Sequence, residues 1–265
     1  MTKGHMNAKS KNQLKADELF GVFDLGFSDA FTQDSVRNQT FKHKLDGLTD
    51  AMKVINGDSI LNYALFIELG ASHPTPRLWL ECETDLHSSI YLALGGYYRQ
   101  ALICLRTWLE LTLIGIYYNC HYTGENSRFE KWKRGQRHSP GWGQLLGALF
   151  KRPRLQNADV NIALQDKLRV FHDELSCFVH GRGIELYELQ RGRDNVPRFL
   201  EHSFDMWHRF LKRTYGLLLL TLFAEYGQPL DSYFRRNPTE AQRLAEVLPT
   251  EVRTEWKLLR RKVND

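Results

Sequence analysis

Apolar residues recur along this chain mainly at spacings of three and four, and that periodicity predicts a succession of helices. Leu19, Phe20, Val22, Phe23 and Leu25 form a first apolar cluster, read as a short helix or packed arm. Between Asp34 and Val54, Phe41, Leu45, Leu48 and Met52 mark one helical face. Asn56-Gly57-Asp58 reads as its stop, with Asp58 or Ser59 capping a short helix that reaches Phe66. His73-Pro74-Thr75-Pro76 is a break; Thr75 is placed to cap the next helix, with Pro76 at its first position and Leu94 at its end. Gly95-Gly96 interrupts, and the helix from Tyr97 to Tyr118 is apolar on most of its circumference, the mark of a central buried helix. Short helices follow at Arg128–Lys133 and Gly141–Phe150. Asp159 to His180 reads as one amphipathic helix with Ile162, Leu164, Leu168, Phe171, Leu175 and Val179 inward, stopped by Gly181-Arg182-Gly183. A long helix from Pro197 to Glu225 and two shorter ones, Pro238–Leu248 and Pro249–Val263, complete the pattern, with Asn237 and Thr250 as capping residues. No stretch alternates as a strand does, so an all-α antiparallel helical bundle is predicted.

Composition refines this only in places. The lysine-rich start, residues 1–15, carries no apolar signal-like stretch and is read as a flexible tail. The longest apolar run, Tyr215 to Tyr226, is too short for a bilayer. A soluble, cytoplasmic protein without membrane contact is therefore expected. Cys82, Cys104, Cys120 and Cys177 form no close pair, which predicts buried reduced thiols and no metal site. The net charge of +5 is concentrated: Arg128, Lys131, Lys133, Arg134, Arg137, Lys151, Arg152 and Arg154 share one stretch with a single acid, Glu130.

Three constellations could carry chemistry. His172, Ser176 and His180 share a helical face at intervals of four. Histidine suits proton transfer near neutral pH, and a histidine in a last helical turn also suits a plain capping role. Arg106 and Glu110, four apart on the most apolar helix, are either a buried structural pair or part of a cleft shared with His180. In the basic stretch Phe129, Trp132 and Trp142 are interleaved with the cations, a pattern able to stack bases and neutralise phosphates. Phosphate-binding loops, dinucleotide fingerprints, zinc-protease motifs and nucleophile elbows are all absent from the sequence.

Two segments carry a family resemblance. Gly96 to Glu110, with Tyr97-Tyr98-Arg99-Gln100 near its start, resembles the second helix of HEPN-type bundles. Leu175-Ser176-Cys177-Phe178-Val179-His180-Gly181 resembles the helix end that carries their histidine. The resemblance covers about residues 77–226 and implies a small, often dimeric bundle, flanked here by an N-terminal helical extension (16–76) and a C-terminal helical pair (227–265). Many HEPN domains belong to prokaryotic toxin–antitoxin or anti-phage modules and cut RNA without metal, using its own 2′-hydroxyl. They do so with an arginine and a histidine that have four to six residues between them. Asp173, Glu174 and Leu175 occupy those positions here, so only His180 is carried over. The resemblance implies His180 as general acid/base, Arg106 or Arg182 as the phosphate-stabilising cation, and Glu110 as the residue orienting it. No cofactor is implied, and the expected partners are RNA or another nucleic acid, a second copy, or a protein of the same module. The alternative is a non-catalytic interaction subunit.

Overall fold

The computed structural model describes residues 42–119, 124, 127–180 and 200–263. The predicted arm at 16–26 and the glycine stop at 181–183 lie outside the described residues. All regular elements among those described are helical: α1 (Lys42–Leu69), α2 (Pro74–Leu94), α3 (Tyr98–Tyr118), α4 (Arg128–Lys133), α5 (Trp142–Leu149), α6 (Pro153–Ile162), α7 (Leu164–His180), α8 (Glu201–Arg236), α9 (Pro238–Val247) and α10 (Arg253–Val263), the last preceded by a 3-10 turn at Thr250–Val252. The all-α bundle expected from the periodicity is what forms.

Helix α3 is central. It packs most extensively on α2 and also meets α5, α7 and α8, while α1 lies across α2, α8 and α9. One continuous core results, with Trp79, Trp108 and Trp207 fully buried. By length and composition α3 alone among the described helices could cross a membrane; 61% of its most apolar stretch is buried in the fold.

Four local predictions are corrected. Asn56-Gly57-Asp58 does not stop a helix, because α1 runs through it. A Cβ on Gly57 would lie 2.1 Å from the Tyr215 hydroxyl, so this glycine lets α8 approach rather than ending α1. Asp58 is no cap either. It is fully buried, and burial lifts its carboxyl well above the usual carboxylate range, against a smaller pull from the Trp79 indole, which stands short of hydrogen-bonding geometry. Second, α2 starts at Pro74, and its cap is His73 rather than Thr75: the His73 Nδ1 accepts from the Thr75 N–H at 3.2 Å.

Third, the single helix from Asp159 to His180 is two. Ala163 adopts a left-handed conformation (φ 50°, ψ 46°) that ends α6. Asp159 Oδ1 then accepts from Gln165 N at 2.7 Å in the first turn of α7, satisfying one of the donors a helix start leaves open. Fourth, α8 does not end at Glu225. It bends at Tyr226 (φ −115°, ψ 25°) and continues to Arg236. Pro229 explains the bend, since it has no N–H to give the carbonyl four residues back. That carbonyl, on Glu225, instead accepts from Arg154 Nη1 at 2.9 Å. The thiols also differ from expectation. Cys82 is buried and Cys104 half-buried, with burial pushing the Cys104 thiol up to about 11, but Cys177 is exposed.

Candidate functional site

The charged residues of α3 and α7 meet in a seam. Leu168, Phe171 and Leu175 bury the apolar side of α7, which leaves His172 beside them, turned toward α3 and α5. Glu110 Oε1 lies 2.7 Å from His172 Nε2 and accepts from Arg106 Nε at the same distance. Burial disfavours the charged form of Glu110, yet the bonds from His172 and Arg106 outweigh it and hold the carboxyl below the usual range. With the carboxylate ionised, the imidazole donates from Nε2. Its other face is covered by Trp142 at the start of α5, stacked at 3.9 Å with the rings 9° apart. Ser176 Oγ lies 3.3 Å from Nδ1 while donating to the His172 carbonyl at 2.7 Å.

Arg106 and Glu110 are thus a pair, as their spacing predicted, but their histidine is His172 rather than His180. His172 is eight residues from His180, about 12 Å along a helix. With its side chain only 7% exposed and sealed by an indole, His172 clamps α3, α5 and α7 in register. It is not presented to a substrate. The backbone of His180 ends α7; its side chain, and all of Arg182, lie outside the described residues.

A second arginine stands at that end of α7. Arg99 is two turns before Arg106 on α3, and its Nε donates to the Phe178 carbonyl at 2.8 Å. Helix α3 therefore delivers a guanidinium to the last turn of α7. Sequence spacing did not find Arg99 because the pairing is between helices. The signal available was only its register: an arginine seven residues before Arg106 lies on nearly the same face.

The basic stretch divides in two. Arg128, Lys131, Lys133, Arg134 and Arg137, on α4 and the turn after it, are exposed, as is Lys151. Ser127 caps α4 through Glu130 N at 3.2 Å, and Lys133 pairs with Glu130 at 2.9 Å. Arg152 is half-buried, and Arg154, though exposed, is tied back to α8. Arg152 donates to Glu225 Oε1 at 2.7 Å and to the Tyr117 carbonyl at 3.0 Å, and Arg154 holds the Glu225 carbonyl and Gln228 Oε1. Asn119 joins Glu225 Oε1 to the Tyr226 hydroxyl, which also bonds Thr75 Oγ1 at 2.6 Å. The interleaved aromatics also pack inward: Phe129 is buried and Trp132 half-buried against Tyr118, and Trp142, half-buried, lies on His172. Among the described residues no three His, Cys, Asp or Glu side chains group as metal ligands do.

Comparison with known protein families, curated proteins and solved structures finds no match to this chain.

Proposed function

We propose that this chain is an RNA-associated, HEPN-like component of a prokaryotic anti-phage or toxin–antitoxin module, cutting RNA without metal through His180 and Arg99. The observation that supports this most directly is the Arg99–Phe178 bond, which brings a fixed cation to the end of α7 two residues from His180. In this reading His180 takes the proton of a ribose 2′-hydroxyl as that oxygen attacks the adjacent phosphorus. The bond to the 5′-oxygen breaks, and that oxygen leaves with a proton. A 2′,3′-cyclic phosphate and a 5′-hydroxyl result. Arg99 stabilises the extra negative charge on the phosphoryl oxygens, which a planar guanidinium does well. The exposed cations from Arg128 to Arg137 would hold the flanking strand. The turn from Gly135 to Gly141 connects them directly to Trp142, which covers His172.

The test is cleavage of an RNA panel in chelator by the wild-type chain, His180→Ala, Arg99→Ala and Arg106→Ala. The expected result is loss of 2′,3′-cyclic-phosphate products in the first two variants, by about a hundredfold or more. Arg106→Ala should act through stability. Full activity in His180→Ala would sink the assignment.

A second reading has its own observation. Tyr63, Phe66 and Ile67 on α1 are 59%, 39% and 48% exposed at helical spacing, with Leu80 of α2 51% exposed. Such an apolar face suits an interaction subunit binding a protein partner or a second copy. RNA binding that loses little affinity as salt rises would favour this reading over the nuclease.

A further inference from the structure

Helix α7 has a second working side. Phe171 and Phe178 pack on Phe210 of α8, and Glu174 meets Arg213 of α8 at 2.6 Å. Where α7, α8 and the start of α10 converge, a cleft of about 430 Å³ opens, within the usual range of small-molecule sites. It is separate from the Arg106–Glu110–His172 seam, which uses the α3 side of α7.

The two ends of the cleft differ in chemistry. Its floor is aliphatic, made by Leu217 and Leu220 of α8 with Pro249 and Val252 from the turn before α10. These residues are buried, so the floor is continuous with the core. The turn sits this close because α8 carries a glycine there: a Cβ on Gly216 would lie 2.7 Å from Val252 Cγ1. The other end is cationic, with Arg209, Lys212 and Arg213 of α8; Lys167 of α7 and the one carboxylate of the lining, Glu255 of α10, stand together as a pair. Lys167 pairs with Glu255, and Arg213 reaches Glu174 and lies over the Phe171 ring. These pairs tie α7 to both other walls, and the cationic residues of α8 precede Leu217 and Leu220 along that helix, which puts their charge at one end of the slot. His208 completes that end.

We infer that this cleft binds a small amphipathic anion, an aliphatic chain of medium length carrying a phosphate or carboxylate head. The aliphatic floor supplies burial for the chain. The guanidinium and ammonium groups supply charge-assisted hydrogen bonds to the head. A nucleotide fits less well, because Leu217, Leu220, Pro249 and Val252 offer no side-chain donor or acceptor to the edge of a base and no aromatic face to stack on. This site and its ligand do not depend on any cleavage of RNA.

The test is titration calorimetry and thermal shift on the full chain with decyl phosphate, decanoate, inorganic phosphate and adenosine 5′-monophosphate. The expected result is one-to-one binding of at least one alkyl anion, with the preferred head told by comparing decyl phosphate with decanoate. Inorganic phosphate and the nucleotide should bind far more weakly. Arg209 is exposed, so Arg209→Glu should fold normally and weaken the alkyl anion by about tenfold or more, most strongly at low salt. Leu217→Ala tests the floor and should weaken it several-fold while leaving the head preference unchanged. Failure of both alkyl anions to bind would overturn the inference. So would tighter binding of the nucleotide, or equal binding by wild type and both variants.

Discussion

Replacing Arg152 with methionine separates a structural arginine from a phosphate-binding one. The Arg152 guanidinium bridges the Glu225 carboxylate and the Tyr117 carbonyl, with side chains 17% and 10% exposed for the ion pair. Removing one member of a buried pair leaves the other charged and undercompensated, a loss of about 3–5 kcal/mol. Asn119 still donates to Glu225 Oε1 at 3.1 Å, which places the expected loss near 3 kcal/mol. For a chain of this length that lowers Tm by roughly 6–12 °C. Urea and thermal unfolding of Arg152→Met, Glu225→Gln and the double variant check this. The double-mutant cycle should give a coupling of about 2 kcal/mol, and Arg152→Lys should recover little, since an ammonium cannot reproduce the two-armed geometry. The reasoning is refuted if Arg152→Met unfolds within about 1 kcal/mol of wild type and instead loses RNA affinity as the exposed lysines do.

Two further outcomes follow from groups near that knot and across the core. His73 is held at about 4, by burial first and by the Arg152 charge second, and its Nδ1 must stay unprotonated to accept from Thr75 N. Its folded value lies below its unfolded one, so stability from this group is complete above about pH 6.5 and is lost as pH falls toward 4. Unfolding measured from pH 7 to pH 4 should show a decline of about 1–2 kcal/mol, after allowance for solvent screening, that is absent in His73→Asn. Gly57→Ala should destabilise by about 1–3 kcal/mol, because Tyr215 must move from where the new methyl would stand. Paired with Tyr215→Phe the penalty should shrink, and an unchanged penalty would place the strain elsewhere.

The fold class was legible because period-three-and-four apolar spacing survives any rearrangement of helix ends. The ends themselves were less so. Asn56-Gly57-Asp58 has the composition of a helix stop, but local propensity of about 1 kcal/mol per glycine yields to the packing of Tyr215 against that backbone. Ala163 breaks a helix although alanine is the best helix former, because Asp159 and the approach of α6 to α8 fix the turn. At the candidate site, the pairing of Arg106 with Glu110 was readable as an i, i+4 step on one helix. Their link to His172 was not, since it depends on which residues of two distant helices come level. Arg152 and Arg154 looked like members of the basic stretch because charge counts carry no information about buried carboxylates and orphan carbonyls elsewhere in the chain.

The bend in α8 makes Pro229 and Arg154 mutually dependent through the Glu225 carbonyl, although the residues are far apart in the chain. Without the proline, that carbonyl would regain its own helical donor and the guanidinium would have no task there. Without the arginine, the proline would leave a part-buried carbonyl without its protein donor. Natural variants of this chain should therefore keep both or change both, and an aligned set in which position 229 varies freely while an arginine persists at 154 would show that the bend has some other support.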